Sequence, residues 1–434
     1  MSYHHISSYA VELRNDYALL KELQSVYDSA VSYLLSPVLN EWESIKDIDS
    51  SDARMSVMET IVHTTKSHTA RYDFDEKFYK MPSYLRRSAI LKAVGIVSCY
   101  KSNLNNGTNA ALSYKHHNCP ALYKDNVFKW KDDYTVSIKV YKKNDWVWHD
   151  FRLRKTDADY LKMRMTVNNR CKIFAPVLEK KYGKYFLRFA LEEMIDFPDV
   201  SIFERKACCV DMGLLNDAVC SVMDVHGTVL GRHFINCARE KDSVRNALHR
   251  VSVFQRLHGG HDVRHLWNVA VRRNENLANK AAHEIVAYAR ETGCHVIVFE
   301  YLDTKGKKRG SRRQRLHHWK HRAIQKKVES LAHKYGIRIS RVCTYNTSKL
   351  AYDGSGEVKR GRKVSDDTPY DICCFQSGKY YNCDLNASYN IGARYFIREL
   401  INALPGIKAE VPDIGGGTRR VLADLWRINA AVCL

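Results

Sequence analysis

The spacing of apolar residues changes along the chain, and each change predicts a different kind of element. Leu19, Leu23, Val26, Ala30 and Leu34 recur at three- and four-residue intervals between Asp16 and Pro37. That spacing gathers side chains on one face of a helix, with Asp16 where a cap belongs and Pro37 where the helix should stop. A second run from Ser83 to Lys101 carries Ile90, Val94 and Val97 on one side and Arg86, Arg87 and Lys92 elsewhere. The period then falls to two. Val136, Ile138 and Val140 lead through Lys143-Asn144-Asp145 to Trp146, Trp148, Phe151 and Leu153. Ile173 to Leu178 leads in the same way through Tyr182-Gly183 to Tyr185, Leu187, Phe189 and Leu191, so two hairpins are predicted.

Beyond Ala207 the apolar runs become continuous. Ala207 to Val210 predicts a short buried strand, and Ala218 to Met223 with Thr228 to Phe234 a hairpin around Val225-His226-Gly227. Glu275 to Glu291 predicts a helix closed by Gly293, and Cys294 to Phe299 an uninterrupted apolar strand, as found where both faces of a sheet are covered. The tail from 402 to 434 places Val421, Leu422, Leu425 and Trp426 at helical spacing. These patterns predict a multidomain α+β chain. An opening strand (1–13) completes a small β-barrel (106–200), a helical insert (14–105) interrupts it, and an α/β domain begins near 201.

Composition narrows the partners. The chain has 434 residues, too many for one ordinary domain, and 69 Lys+Arg against 48 Asp+Glu leave a charge of +21. Such an excess favours a polyanion, because each phosphate neutralised by a cation releases condensed counterions. No apolar run approaches the roughly eighteen residues of a membrane span, and the first residues lack the pattern of a secretion signal. A membrane partner is therefore not expected, and a prokaryotic cytosol is the default compartment. Thirteen cysteines at irregular spacing predict reduced thiols, not a disulfide framework. His4-His5 and His317-His318 are expected to be exposed and not to bind metal.

Three acids stand where an acid is out of place unless it is used. Asp211 ends the strand Ala207–Val210 and is followed by Met212-Gly213, a glycine that permits a close backbone approach. Glu300 ends the strand Val296–Phe299, and Asp384 opens a helix with Leu385, Ile391 and Phe396 on its apolar side. Each alone has an ordinary reading, as a helix cap or a solvated strand end. Together, carboxylates at two strand ends and one helix start can converge on two divalent ions about 4 Å apart, which activate water against a phosphodiester.

Val210-Asp211-Met212-Gly213, Val298-Phe299-Glu300-Tyr301-Leu302, Tyr345-Asn346-Thr347-Ser348 and Asp384-Leu385-Asn386-Ala387-Ser388-Tyr389-Asn390-Ile391 together resemble the C-terminal half of TnpB proteins and of the small type V CRISPR (Cas12-like) nucleases. The resemblance covers 207 to about 397. It implies a RuvC-type, RNase H-like nuclease domain and an RNA-guided DNA endonuclease, with Asp211, Glu300 and Asp384 as the catalytic acids holding two magnesium ions. It implies a guide RNA and a target DNA paired as a heteroduplex, beside a short target-adjacent motif. Residues 1–200 agree in layout only, as a wedge β-barrel interrupted by a helical recognition lobe. The nuclease would then comprise 201–340 with a basic lid at 303–327, an insert at 341–383, the final helix at 384–401 and a tail at 402–434.

The insert departs from the family. Its four zinc cysteines fall here on Leu350, Asp353, Cys374 and Ser377, so Cys374 is the only ligand retained and a structural zinc is not expected. Cys343, Cys373 and Cys383 lie nearby, and a rearranged site is the alternative. The lid segment is strongly basic: Lys305, Lys307, Lys308, Arg309, Arg312, Arg313, Arg315, Lys320 and Arg322 follow Glu300 with no acid between Lys305 and Lys327. Phosphate contact is the expectation for them, against a solvated loop. Trp130, Trp146 and Trp148 suit either base stacking or sheet packing. Two other functions stand beside the leading one: an RNA-guided DNA-binding protein that does not cleave, and a guide-independent RuvC-like nuclease or recombinase. The sequence assigns neither a transposon nor a CRISPR origin, nor an oligomeric state.

Overall fold

The structure is a computed structural model that describes residues 2–107, 111–112, 120–167, 171–181, 183–213, 215–259, 262–301, 312–404 and 419–432. It divides into two compact units, Ile6–Met194 and Met1–His5 with Ile195–Leu434.

The first unit combines helices with two small sheets. After β1 (Ser2–Glu12) come α1 (Tyr17–Asn40), α2 (Trp42–Ile45), α3 (Ser51–Val62), α4 (Phe74–Lys77) and α5 (Ser83–Asn105). Leu20, Leu23, Ala30, Val31 and Leu34 of α1 and Ala89, Ile90, Ala93 and Val97 of α5 share one core, as the sequence periodicity predicts. Two local expectations fail. Asp16 has a left-handed backbone, caps nothing with its side chain and instead lies 2.8 Å from His149 Nε2. Helix α1 runs through Pro37 to Asn40, and Glu41 N closes its end on the Pro37 carbonyl. A proline in the last turn forfeits one backbone bond but does not stop the chain from completing that turn.

The strands β2 (Phe128–Trp130), β3 (Thr135–Lys142) and β4 (Asp145–Arg152) form one antiparallel sheet. After α6 (Lys155–Val167) come β5 (Cys171–Ile173), β6 (Val177–Lys181) and β7 (Lys184–Asp196), and β1 joins β7 in a second sheet of order β1-β7-β5, with β6 also on β7. Single bridges, including Leu13 to Leu153 and Ala121 to Val177, tie strand extensions together beyond these ladders. No closed barrel is formed among the described residues, contrary to expectation. Pro176 divides the predicted Ile173–Leu178 strand, since proline cannot donate to a ladder.

The second unit is an α/β sandwich. The strands β8 (Ala207–Asp211), β9 (Ala218–Met223), β10 (Val229–Ile235), β11 (Val296–Glu300) and β12 (Arg338–Val342) make a sheet of order β10-β9-β8-β11-β12. The pairs β10–β9 and β9–β8 are antiparallel, whereas β8–β11 and β11–β12 are parallel. Helices α7 (Ala238–His258), α8 (Arg264–Glu291) and α9 (Arg312–Lys334) occur between these strands. The small strands β13 (Lys359–Arg360), β14 (Ile372–Cys374) and β15 (Tyr380–Asn382) precede α10 (Cys383–Ala403) and α11 (Leu422–Ala431).

Strand alternation explains the continuous apolar runs. Cys208, Val210, Ile297 and Phe299 pack with Leu277, Ala281 and Ile285 of α8 and with Ile324 and Val328 of α9. Ala207, Cys209, Val296 and Val298 pack on the other face with Ile391, Phe396 and Leu400 of α10 and with Leu425 and Ile428 of α11. Both faces of the sheet are thus covered, so both residues of each alternating pair must be apolar. The polar interruptions fall at Asp211 and Glu300, where the strands leave the core.

Candidate active site

Parallel pairing places the first two acids side by side. Val210 is the register partner of Phe299, so Asp211 and Glu300 leave neighbouring strands at the same edge. Adjacent strands stand about 4.8 Å apart. Asp384 arrives from the first turn of α10, which the Asn382 side chain caps by accepting from Asp384 N at 3.1 Å and Leu385 N at 3.0 Å. Gly213 lets the chain after Asp211 close on it: a Cβ there would lie 3.1 Å from Asp384 Oδ2. The glycine read from sequence as a point of close approach thus faces the third acid.

Burial raises the proton affinity of all three carboxylates, and at Asp211 the other two acids add to it. Burial first, then the charges of Glu300 and Asp384, push Asp211 well above the usual carboxylate range, while Arg360 pulls the other way. Burial also raises Glu300, opposed by a hydrogen bond from Thr347 Oγ1 and by the charge of Arg394. Burial raises Asp384 against donation from Asn216 and the charge of Arg360. Among the described residues no three His, Cys, Asp or Glu side chains come close enough to enclose one metal ion. The donors form an open array of hard oxygens.

Arg360, on β13, is the residue that the sequence reading missed. Its guanidinium acts on both Asp211 and Asp384, donates from Nη2 to the Ser348 carbonyl, and keeps a buried Nε with no hydrogen-bond partner among the described residues. Nothing in the local sequence separates it from the neighbouring Lys359, Arg362 and Lys363. Only the fold of the insert brings it to the acids.

The basic residues fare differently. Lys305, Lys307, Lys308 and Arg309 lie outside the described residues, and Arg312, Arg313 and Arg315 are placed only as backbone at the start of α9. The predicted lid therefore continues as a regular helix from 312 onward. Arg322 is exposed. Lys320 is buried, with its Nζ 2.9 Å from Oδ1 of the fully buried Asp217, and this internal ion pair withdraws it from the set available to phosphate. His5, expected at the surface, is 4% exposed, and the side chains of His317 and His318 are not described.

In the insert, Ser377 Oγ donates to Asp353 Oδ2 at 3.2 Å and Cys374 Sγ to its neighbour's carbonyl. Leu350 bridges to Glu357. Ala351, Cys373, Phe375 and Cys383 form a small core there, with Tyr352, Val358 and Tyr381 packed against it. Of the tryptophans, Trp130 and Trp148 are both partly exposed; Trp130 stacks on Phe189 with ring centroids 5.6 Å apart, and Lys129 Nζ lies 4.4 Å from the ring centre of Trp148.

Among known proteins, the Aq_aa04 family matches residues 7–142, and no curated protein matches. A cryo-EM structure of a Cas12f1–sgRNA–target DNA complex aligns over 86% of this chain and 81% of its own, with 15% identity and a TM-score of 0.55. Alicyclobacillus acidoterrestris C2c1 in complex with single-guide RNA aligns over 83% and 65%, with 10% identity and a TM-score of 0.41. A CRISPR-Cas12f ternary complex aligns over 86% and 80%, with 15% identity and a TM-score of 0.34. The last two superpose too loosely to add to the first. The chain shares the multidomain α+β fold of the Cas12f1 protein.

Proposed function

We propose that the protein is an RNA-guided DNA endonuclease that cuts phosphodiesters at Asp211, Glu300 and Asp384. The observation that carries this reading is the convergence of the three acids at one edge of the five-stranded sheet. Its support is threefold. Burial and the charges of Glu300 and Asp384 raise the proton affinity of Asp211, and an acid so placed gains from a divalent cation. Three antiparallel strands followed by two parallel ones suit the RNase H-like arrangement that the motifs resemble. The Cas12f1 complex of the same fold holds an sgRNA and target DNA, and a charge of +21 suits such partners.

Asp211, Glu300 and Asp384 offer hard carboxylate oxygens, the donors that magnesium takes. Two bound magnesium ions would supply Lewis acidity and a water of lowered pKa. The chain's own residues do the rest. Asp211 and Glu300 present oxygens from neighbouring strand ends, and Asp384 presents its own from a capped helix start. Arg360 offers a desolvated guanidinium edge to the reacting phosphate, where charge accumulates as the bond breaks. The cations before and within the first turns of α9 hold the strand by its backbone, without reading sequence.

Sequencing the nucleic acid that copurifies with the protein tests this reading. One discrete RNA, followed by cleavage of DNA matched to its guide segment beside a fixed short motif, is the expected result. Cleavage of structured DNA by RNA-free protein would contradict it.

A further inference from the structure

Helix α10 does more than carry Asp384. Asn386, Asn390 and Arg394 follow at four-residue intervals and so form one polar stripe along it, and they are 0%, 0% and 5% exposed. A stripe this dehydrated is stable only if every group is satisfied, and the partners are specific. Asn390 Nδ2 donates to the carbonyls of Thr347 and Leu350 at 2.9 Å each, and Asn386 Nδ2 to Leu350 at 2.8 Å. Arg394 Nη1 donates to the carbonyls of Cys343 and Tyr345 at 2.8 Å each. All of these acceptors lie on the segment 343–350, which contains no helix or regular strand of its own.

That segment holds Glu300. Thr347 Oγ1 donates to Glu300 Oε1 and also lies 3.1 Å from the Thr344 carbonyl. A hydroxyl has one proton to give, and an ionised carboxylate is the stronger acceptor. The C-terminal segment closes the stripe from outside. Leu422 N donates to Asn390 Oδ1 at 3.3 Å, and Arg394 Nε donates to the Arg420 carbonyl at 3.0 Å.

We propose that Thr347 and Asn390 are positioning residues for Glu300, locked by the C-terminal segment 420–431, so that one helix both presents Asp384 and fixes the carboxylate opposite it. The proposal rests on the reading of the three acids as a metal centre.

The test uses the RNA-loaded protein and Mn²⁺ as probe, with binding followed by electron paramagnetic resonance and unfolding by calorimetry. Thr347→Val should weaken Mn²⁺ binding by about tenfold or more, the range for losing a hydrogen bond that orients a ligand. Its Tm should stay near that of the parent, and Thr347→Ser, which restores the hydroxyl, should restore the affinity. Asn390→Asp keeps the acceptor for Leu422 but loses the donor to Thr347, and should weaken Mn²⁺ binding in the same direction. Unchanged Mn²⁺ affinity in Thr347→Val, with or without a lower Tm, would reduce Thr347 to a structural role and overturn the proposal. Asp211→Ala separates the two levels: Mn²⁺ binding unaffected by that change would overturn the metal-centre reading itself.

Discussion

Ser377 donates a hydrogen bond to Asp353 across 3.2 Å, and these residues occupy two of the four positions where the resembled family carries zinc cysteines. A neutral donor and a carboxylate thus meet where two thiolates would share an ion. The neighbouring core of Ala351, Cys373, Phe375 and Cys383 supplies apolar packing beside them. Chelation should therefore leave the Tm unchanged, and elemental analysis should find well under one zinc per chain. One tightly held zinc would show that the cysteines have regrouped.

The same pair predicts a pH dependence. Burial raises the Asp353 carboxyl, but donation from Ser355 and Ser377 outweighs it and leaves the group below its ordinary value. A depressed carboxylate stabilises the fold above its unfolded pKa, and that contribution disappears as pH falls through the folded value. Thermal unfolding across pH 3 to 7 should show a smaller acid loss in Asp353→Asn than in the parent. An identical acid limb in both would remove Asp353 from the account.

Arg360 should matter to chemistry and not to recognition. Arg360→Ala is expected to slow single-turnover cleavage about a hundredfold or more, the scale for removing one preorganised electrostatic group, with target binding nearly unchanged. Arg360→Lys should recover only part, because an ammonium lacks the planar fork. Parallel loss of binding and cleavage would make Arg360 a structural residue of the insert.

Position in the fold separates the lid cations from their neighbour. Replacing Lys307, Lys308, Arg312 and Arg313 with Ala should flatten the salt dependence of DNA engagement and leave the flanking-motif preference alone. Lys320→Ala should act on stability, on the order of 3 kcal/mol, because it strips the fully buried Asp217 of its closest cation. Urea unfolding and a cleavage assay on a randomised flank distinguish the two. A changed motif preference in the first variant would contradict the assignment.

Gly392 sets how closely α10 approaches the sheet. A Cβ there would lie 2.7 Å from Cys209 Sγ and 2.9 Å from Met223 Sδ, distances that demand movement. Gly392→Val should destabilise by about 1–3 kcal/mol by overpacking, read as a lower urea midpoint. An unchanged midpoint would mean that the interface is looser than its distances imply.

Burial decides which elements leave a signal in the sequence. Strands β8 and β11 were visible because burial on two faces writes an unbroken apolar run, and an acid at the end of such a run stands out. Helix α7 was not read, since it buries only Ala247 and Val251 of its apolar side chains, too few to impose a period. Helix α8 begins at Arg264, eleven residues before the predicted Glu275, and before Asn274 it buries only Ala270, so no buried stripe marks its first turns. Lys320 and Arg360 could not be sorted from the cations around them. What distinguishes them is Asp217 in one case and two acids in the other, all distant in sequence. The absence of a closed barrel was equally illegible, since alternation specifies strands but not which edges meet.

Guided cleavage by the three acids is tested by redirecting the protein to a new target. The protein is loaded with its copurifying RNA, whose guide segment is then replaced by an unrelated sequence, and supercoiled DNA carrying the new match is incubated with Mg²⁺. Cleavage should move to the new match, and Asp211→Ala, Glu300→Ala and Asp384→Ala should each lose at least about a hundredfold in rate while still binding that DNA. Cleavage that ignores the guide, or that persists near the parent rate in any of the three variants, would contradict guided cleavage by the three acids.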